Sequence, residues 1–517
     1  MTEPLAPTVI ILAAGEGKRM KSAVPKVLHE LCGRTMLGHV VAAARELAPQ
    51  RLAVVVGKGR DLVAPHVQAI APEALLAVQD PQHGTGQATR LALEALAAAG
   101  AEPHGTVLVL LGDGAMVTAG TLRHLIAEHE QAGNAVTDLT AVVPDPTGLG
   151  RILREPDGTP EGRVIGIVEE RDCTPVQATI HEVNSGIFAF DAKLLRDALS
   201  RLTTDNAQGE ELLTDVMAIA VGDGLPVGAV VAADHHEVLA ANDRAQLADL
   251  RRLMNQRITR HWMVEGVTIV DPATTWIDVH VTLEPDATVR PNTQLEGATR
   301  IGAGADVGPN CTLKDTVVGA GARVTNATTD GAEIGPQASV GPYTYLRPGT
   351  RLGRKAKAGG FVEIKKSTIG DGSKVPHLAY IGDATIGEGT NIGAGVITAN
   401  YDGYNKFPTH IGDHAFVGTN TTLIAPAEVA DGAYVAAGSA LTRPVGPGEL
   451  AVARGQQRNI AGYVARKRPG SPAALAAERA RDRAGEGAAP GAPEAVADSG
   501  HETNATGSES GAPGDAV

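Results

Sequence analysis

A glycine-rich loop and nearby cations form the first group of residues that could do chemistry. A continuous apolar stretch, typical of a buried strand, leads into the run Leu12-Ala13-Ala14-Gly15-Glu16-Gly17-Lys18-Arg19-Met20. Small residues let the backbone approach a ligand closely, and exposed amides beside Arg19 and Lys26 suit phosphate groups. The alternative is a plain turn, since glycine loops often follow strands.

Asp113 offers a carboxylate where a predicted strand ends. It follows the apolar run TVLVLL of residues 106–111, so it should lie at the carboxyl edge of a parallel sheet. Mg²⁺ prefers oxygen ligands, and reactions between two phosphates need a divalent cation and fixed positive charge more than a protein nucleophile. Taken alone, Asp113 is equally suited to cap a helix.

A second group of reactive residues lies in the C-terminal half. Histidine suits the removal of a proton from an amine near neutral pH, which makes His377 a candidate general base. Residues 347–380 also gather arginines and lysines in an otherwise acidic protein, and residues 398–410 hold three aromatics. The alternatives are a surface histidine and a solvated charged face.

Aliphatic residues spaced by six predict the architecture of this C-terminal half. The spacing matches neither a helix nor an alternating strand, but it is typical of a left-handed parallel β-helix with three short strands per coil. We expect these side chains to point inward, and we interpret residues 347–380 and 398–410 as interruptions of the coils. The clearest run is Leu283, Val289, Leu295, Ile301, Val307 and Leu313.

The N-terminal half alternates apolar runs with helical patterns, for example helices over residues 35–48 and 84–99. This alternation predicts an α/β, Rossmann-like domain over residues 1–241. An amphipathic linker helix follows over residues 242–264, then the all-β helix over residues 265–465. The Ala-, Gly-, Pro- and Ser-rich residues 466–517 are predicted to form a disordered tail.

Charge and hydropathy exclude several classes of partner. A net charge of −14 opposes nucleic-acid binding, so phosphates would have to be bound by local cation clusters. No apolar run reaches the length of about 18 residues that a membrane span needs, and no leader peptide is evident. We therefore expect a cytoplasmic protein that binds small molecules.

The glycine loop is part of a wider resemblance to the sugar-phosphate nucleotidyltransferases. Their signature LAAGxGxRM, followed by PK at Lys26, is matched at every fixed position, whereas Gly114-Ala115-Met116 departs from the Thr/Val-Pro-Leu pattern. The resemblance implies a UTP site that includes Leu12, Ala13, Ala14, Gly15, Lys26 and Gly112, with Lys26 and Arg19 catalytic. It also implies that uracil is held by Gln79, Gly84 and Thr85, the sugar by Gly150, Glu169 and Asn184, and Mg²⁺ by Asp113 and Asn242.

The C-terminal phrases LRPG, FVEIKKS, HLAYIGD, NIGAG, NYDGxNK and VAAGS extend the likeness. They resemble the bifunctional glucosamine-1-phosphate N-acetyltransferase/N-acetylglucosamine-1-phosphate uridylyltransferase family over roughly residues 8–460. The resemblance implies His377 as general base and a site formed by Arg347, Lys365, Tyr380, Asn391, Ala394, Asn400, Tyr401, Thr419, Ala437 and Arg454. Gly360 replaces an expected Asn, and Thr419 an expected Ser.

The resemblance implies synthesis of UDP-N-acetylglucosamine, a cell-envelope precursor. Acetyl-CoA would acetylate glucosamine 1-phosphate, and UTP would then uridylylate the product with Mg²⁺ as cofactor. It also implies a homotrimer in which residues from more than one subunit complete the second site. Two alternatives stay open: a nucleotidyltransferase with one activity and a regulatory β-helix, and a non-catalytic scaffold.

Overall fold

The computed structural model describes residues 6–155, 162–206 and 208–486. Its first half alternates strands and helices, as predicted. The strands are β1 (Thr8–Leu12), β2 (Glu30–Leu31), β3 (Arg34–Thr35), β4 (Arg51–Val56), β5 (Leu75–Val78), β6 (Thr106–Leu111), β7 (Val136–Val142), β8 (Arg151–Glu155), β9 (Arg163–Val168), β10 (Glu182–Asp191) and β11 (Val227–Val231). The helices are α1 (Met36–Arg45), α2 (Arg60–Ile70), α3 (Thr85–Ala98), α4 (Ala119–Ala132), α5 (Ala192–Leu199), α6 (Asp215–Gly222) and α7 (Arg244–Val264).

The main sheet of this half is mixed rather than fully parallel. Its order is β11-β7-β10-β6-β1-β4-β5, with β8 and β9 attached through β10. β10 runs antiparallel to both β6 and β7 because the β8–β9 hairpin returns the chain to the sheet without a crossover helix. Buried aliphatic clusters cover both faces, as expected of a sheet covered by helices. The α/β class is therefore confirmed.

Helix α7 connects the sheet to the second half. Asp243 caps it by accepting a hydrogen bond from the amide of Gln246 at 2.9 Å, so the helix begins just after Asn242. One part of α7, including Met254, packs with Met20 and other buried residues of the N-terminal half. Farther along, Trp262 packs against the core of the β-helix. The helix therefore contacts both halves.

Thirty short strands, β12 to β41, form three stacked parallel sheets of 11, 10 and 9 strands. Successive strands belong to successive sheets, so the chain coils into the predicted β-helix. One aliphatic and alanine cluster fills the interior from Val267 to Val445. In chain order the strands are Thr268–Ile269, Trp276–Ile277, Thr282–Leu283, Thr288–Val289, Gln294–Glu296, Arg300–Ile301, Asp306–Val307, Thr312–Lys314, Val317–Val318, Arg323–Val324, Ala327–Asp330, Glu333–Ile334, Ser339–Val340, Thr344–Leu346, Arg351–Leu352, Lys357–Gly360, Glu363–Lys365, Thr368–Ile369, Lys374–His377, Tyr380–Gly382, Ala384–Ile386, Asn391–Ile392, Ile397–Ala399, Thr409–Ile411, Phe416–Val417, Thr422–Ile424, Ala427–Val429, Tyr434–Val435, Ala440–Leu441 and Leu450–Ala451.

The predicted interruption at residues 347–380 is wrong. Strands β26 to β31 (Arg351–Leu352 to Tyr380–Gly382) continue the ladders in register, with Lys357 opposite Lys374 and Glu363 opposite Tyr380. The six-residue pattern is hard to see there because Ala358 fills an inward position usually held by a larger aliphatic. Residues 398–410, in contrast, contain a loop between β34 (Ile397–Ala399) and β35 (Thr409–Ile411), as predicted.

A second compact unit begins at Gly455. Its described part contains α8 (Tyr463–Lys467) and α9 (Pro472–Glu486), two helices that the sequence pattern did not predict at the start of the tail. The alanines of α9 favour a helix even in a polar sequence. Residues 487–517 lie outside the described residues. Among the described helices, none is both long and apolar enough to span a bilayer.

One buried carboxyl in the N-terminal sheet has no partner. Asp138 on β7 has no exposed surface, and neither carboxylate oxygen has a hydrogen-bond partner among the described residues. Burial, with a smaller contribution from the charge of Glu182, raises the pKa of Asp138 well above its usual value. Folding therefore favours the protonated form of this side chain.

We expect Asp138→Val to stabilise the protein, because it replaces an unpartnered polar group by an apolar one of similar size. The expected gain at pH 7.5 is about 1–3 kcal/mol, measured as a higher Tm. The pKa of Asp138 in the folded protein lies above its value of about 3.9 in the unfolded chain. The parent therefore loses stability as the pH rises from the unfolded pKa to the folded pKa. The gain should shrink toward pH 4.5. A variant less stable than the parent at pH 7.5 would contradict this account.

Candidate functional site

Lys26 is the centre of the first site. Its Nζ donates to Asn242 Oδ1 at 2.6 Å and forms an ion pair with Asp113. Gly17 has a positive φ of 64°, and a Cβ there would lie 2.5 Å from Lys26 Cβ, so only glycine allows this approach. Two oxygens from distant segments thus converge on one cation. They are hard donors of the kind that suits a magnesium ion.

A cavity of about 400 Å³ opens beside this cation and is lined by the glycine loop, including Leu12, Ala13 and Gly15. The amide of Gly112 donates to the carbonyl of Leu12 at 2.8 Å, which aligns the ends of β1 and β6. Arg19 lines the cavity with an exposed side chain. Gln82 also lines it and donates to the carbonyl of Ala14, a contact with no sequence signal.

The residues expected to hold uracil cluster around the start of α3. Gln79 is buried, and its side-chain amide donates to the carbonyl of Gly84 and to Gln87 Oε1, both at 2.8 Å. Thr85 Oγ1 accepts a hydrogen bond from the amide of Leu213 at 3.0 Å. Gln87, which the sequence analysis missed, therefore fixes the orientation of Gln79.

The three residues expected to bind the sugar are also brought together. The amide of Asn184 donates to the carbonyl of Gly150 at 2.9 Å, and a Cβ at Gly150 would lie 3.6 Å from Glu169 Oε2. Glu169 accepts from Thr214 Oγ1 at 3.2 Å, next to the Leu213 that contacts Thr85. Burial raises the pKa of Glu169, so its carboxyl is partly desolvated and suited to hydroxyl groups.

The departure at Gly114-Ala115-Met116 is accommodated by packing. Ala115 and Met116 are buried in the cluster that contains Met20 and Met254. The carbonyl of Met116 accepts a hydrogen bond from Arg257 of α7 at 2.8 Å. The turn after Asp113 is thus fixed by α7, which begins beside Asn242.

In the β-helix, one edge aligns half of the predicted acetyltransferase residues. Backbone hydrogen bonds link neighbouring coils at this edge: Gly395 to His377 at 3.3 Å, Asn420 to Ala394 at 2.7 Å and Gly438 to Thr419 at 2.8 Å. Arg454 Nη1 donates to the carbonyl of Ala437 at 2.9 Å. We call this row the catalytic edge: His377, Ala394, Thr419, Ala437 and Arg454. With coils about 4.8 Å apart, it spans roughly 19 Å, enough for an extended ligand.

The imidazole of His377 is exposed at one end of this edge. Its Cα lies opposite Gly360, the position where the family pattern has Asn. A Cβ at Gly360 would meet only Pro342, at 3.6 and 3.9 Å, so the coil has room for a side chain there. The departure therefore removes an amide beside His377 without changing the fold.

Around the corner, cations gather on an adjoining sheet. Lys365 lies 3.5 Å from Asp383, which also accepts from the side-chain amide of Asn400. Lys406 lies beside Lys365, and the proximity and positive charge of Lys365 lower the pKa of Lys406. Asp383 and Lys406 were not among the predicted residues, because only the register between coils and loop brings them here.

Tyr380, Arg347 and Tyr401 lie near this group, whereas Asn391 lies in a different sheet. Tyr380 Oη and Asn400 Nδ2 both lie within 3 Å of where a Cβ on Gly382 would be, so they converge there. Arg347 is paired with Glu363 at 2.9 Å. Tyr401 belongs to the loop, whose turn is fixed by Asp402 accepting the amides of Tyr404 and Asn405 at 2.8 and 2.6 Å. Asn391 lies in β33 (Asn391–Ile392), opposite Lys374.

A family model described as a MobA-like NTP transferase domain matches residues 9–263. The bifunctional protein GlmU of Streptomyces avermitilis is 58% identical over 470 residues, covering 91% of this chain and 96% of its own. The GlmU proteins of Streptomyces coelicolor and Thermobifida fusca are 57% and 55% identical, over 91% and 92% of this chain and 96% and 98% of theirs.

The chain belongs to the bifunctional GlmU family. The predicted bifunctional transferase that makes UDP-N-acetylglucosamine by acetyl transfer and uridylyl transfer is thereby confirmed at the level of the family. Neither the single-activity enzyme nor the non-catalytic scaffold fits a GlmU protein with both halves present. A nucleotide substrate and a divalent metal accord with the NTP transferase match.

Proposed function

We propose that the Lys26 cavity carries out uridylyl transfer and that the catalytic edge with its neighbouring cations carries out acetyl transfer. The observation that carries the proposal is the physical separation of two unlike sets of groups. Lys26, Asp113 and Asn242 converge in the first domain. A histidine and a cation cluster lie on the β-helix.

In uridylyl transfer, a phosphate oxygen of N-acetylglucosamine 1-phosphate attacks the α-phosphorus of UTP. The bond from that phosphorus to the bridging oxygen breaks, and pyrophosphate leaves. Lys26 and Arg19 offset the negative charge that gathers at phosphorus, while the glycine-loop amides hold phosphate oxygens. Gln79, Gly84 and Thr85 would hold the uracil, and Gly150, Glu169 and Asn184 the sugar. Asp113 and Asn242 would hold Mg²⁺, which supplies Lewis-acid stabilisation of the phosphate oxygens.

In acetyl transfer, the amine of glucosamine 1-phosphate attacks the thioester carbonyl of acetyl-CoA. A C–N bond forms, the C–S bond breaks, and the thiolate leaves as CoA. His377 accepts the proton that the nitrogen loses. Arg347, Lys365 and Lys406 would bind the sugar phosphate, since two adjacent ammonium groups favour an anion between them. Asn391, Tyr380, Asn400 and Tyr401 would shape the sugar pocket.

Acetyl-CoA would extend along the catalytic edge past Ala394, Thr419, Ala437 and Arg454. A backbone amide near Ala394 would stabilise the tetrahedral oxyanion. Acetylation followed by uridylylation supplies a cell-envelope precursor. We place the enzyme in the cytoplasm, where UTP and acetyl-CoA are made. Its partners are these small molecules.

We further propose a homotrimer. Tyr343, Phe361 and Leu378 occupy equivalent positions on successive coils immediately beside the catalytic edge, and they are 61%, 63% and 61% exposed. The rings of Tyr343 and Phe361 stack at 5.1 Å. A contiguous apolar stripe on a single chain is typical of a subunit interface. A neighbouring coil packed here would enclose His377 and exclude water from the thioester.

Separate sites predict separable losses of activity. We expect Asp113→Ala to abolish uridylyl transfer and leave acetyl transfer within about twofold of the parent, because the sites share no residue. His377→Ala should do the reverse. Pyrophosphate release reports uridylyl transfer, and thiol trapping of CoA reports acetyl transfer. Loss of both activities in either folded variant would refute independent sites.

The first site also predicts an effect on metal affinity. Lys26→Met removes the ammonium that satisfies Asp113 and Asn242, so Mn²⁺ should bind about tenfold more tightly without nucleotide, equal to about 1.4 kcal/mol. Uridylyl transfer should nevertheless fall, because phosphate charge is less well stabilised. Lys193→Met, which changes an exposed lysine outside this cavity, is the matched control. Unchanged Mn²⁺ affinity in Lys26→Met, measured by calorimetry, would argue against a metal at these oxygens.

A further inference from the structure

A second cationic cavity lies where the N-terminal domain meets the first coil of the β-helix. Its volume is about 400 Å³, and its walls come from the β2–β3 hairpin, α1, α2 and His280 of the β-helix. The polar side chains that line it are Glu30, Arg34, Thr35, Arg45, His66 and His280. None of them belongs to either proposed site.

Arg34 is the notable residue of this cavity. Its side chain is partly buried, yet among the described residues its guanidinium forms no ion pair and no hydrogen bond. Burial lowers the pKa of Arg34, with only a distant opposing effect from Glu46. A desolvated cation without a counterion is costly, so the site favours an anion.

The stem of Arg34 is held in place by a glycine. A Cβ at Gly38 of α1 would lie 2.9 Å from Arg34 Cγ and 2.8 Å from Thr35 Oγ1, so the bare backbone forms a cradle for this side chain. Thr35 caps α1 by accepting from the amide of Gly38 at 2.9 Å. The stem of Arg34 therefore lies against the first turn of a ten-residue helix, whose N-terminal end favours an anion.

Among the described groups around the cavity, Arg34 is left as the cation without a carboxylate partner. Arg45 is already engaged, with Glu73 at 2.7 Å and the carbonyl of Ile70 at 3.1 Å. His66 Nε2 lies 2.8 Å from Thr35 Oγ1, which leaves its other ring nitrogen for a ligand. The nearby carboxylate of Asp278 accepts the amide of Gly297 at 2.9 Å. Glu30 is the acidic member of the lining, and it is exposed.

We propose that this cavity binds a phosphate group, either inorganic phosphate or the phosphate of a small monoester. Arg34 supplies the charge, and His66 and His280 supply N–H donors. Its volume lies within the range of small-molecule sites, so it has room for a body attached to the phosphate. The two halves are in contact at this cavity, since the amide of Val279 in the β-helix donates to the carbonyl of Cys32 in the hairpin at 3.0 Å. A ligand held by Arg34, His66 and His280 would therefore bridge the two halves.

Calorimetry with inorganic phosphate on the full chain tests this site. The double variant Lys26→Gln/Lys365→Gln provides the background, since it weakens phosphate binding both in the nucleotide cavity and at the sugar-phosphate cations proposed above. We expect one phosphate per chain to remain bound in that background, and Arg34→Gln added to it should weaken the binding at least about tenfold, or about 1.4 kcal/mol. Arg51→Gln is the matched control, because Arg51 is an exposed arginine outside the cavity and should leave the affinity unchanged.

Two results would overturn the proposal. One is phosphate affinity in the double-variant background that Arg34→Gln does not change, or that is absent altogether. The other comes from crystals soaked in tungstate, an anomalous scatterer of phosphate shape: a peak beside Arg34 supports the site, and peaks confined to the nucleotide cavity and the sugar-phosphate cations contradict it. Retained uridylyl transfer in Arg34→Gln would show that the variant is folded.

Discussion

The register of the parallel backbone ladder is the constraint on which the second site depends. Each coil donates to the next at equivalent positions, so a residue at one corner lies directly above its counterpart one coil earlier. This places His377 above Gly360 and in line with Ala394. The inward aliphatic side chains maintain the register, because a slip would move them to the outside. The residues proposed for acetyl transfer thus lie at the corners and in the loop, whereas the interior side chains stabilise the coils by packing.

The first site depends on a different device, a single ammonium group that binds two oxygens from distant segments. Asp113 follows β6 and Asn242 precedes α7, so Lys26 contacts two segments that are far apart in the sequence. The buried turn after Asp113 and the contact of Arg257 with Met116 fix α7 against this turn. The same helix then reaches the β-helix. Helix α7 therefore connects the two halves, while the two proposed sites have no residue in common.

Much of this architecture could be predicted from the sequence, because six-residue spacing and βα alternation are direct consequences of local geometry. The prediction failed at residues 347–380, where Ala358 replaces a larger inward residue and hides the period while the ladder continues. Helix α9 was not predicted either, because its polar composition outweighed the helical propensity of its alanines. The motifs supplied the residues of the two proposed sites. Gln82, Gln87, Asp383 and Lys406 were missed, since their contacts arise only when separate segments are brought together.

We propose that the catalytic edge is completed when the apolar stripe of Tyr343, Phe361 and Leu378 packs against another subunit. Sedimentation of Phe361→Asp, with both activities assayed on the same sample, tests this arrangement most directly. We expect monomers in which acetyl transfer falls by about 100-fold, because an open site loses its geometry, while uridylyl transfer is retained. A monomer that acetylates glucosamine 1-phosphate at the parent rate would refute the arrangement.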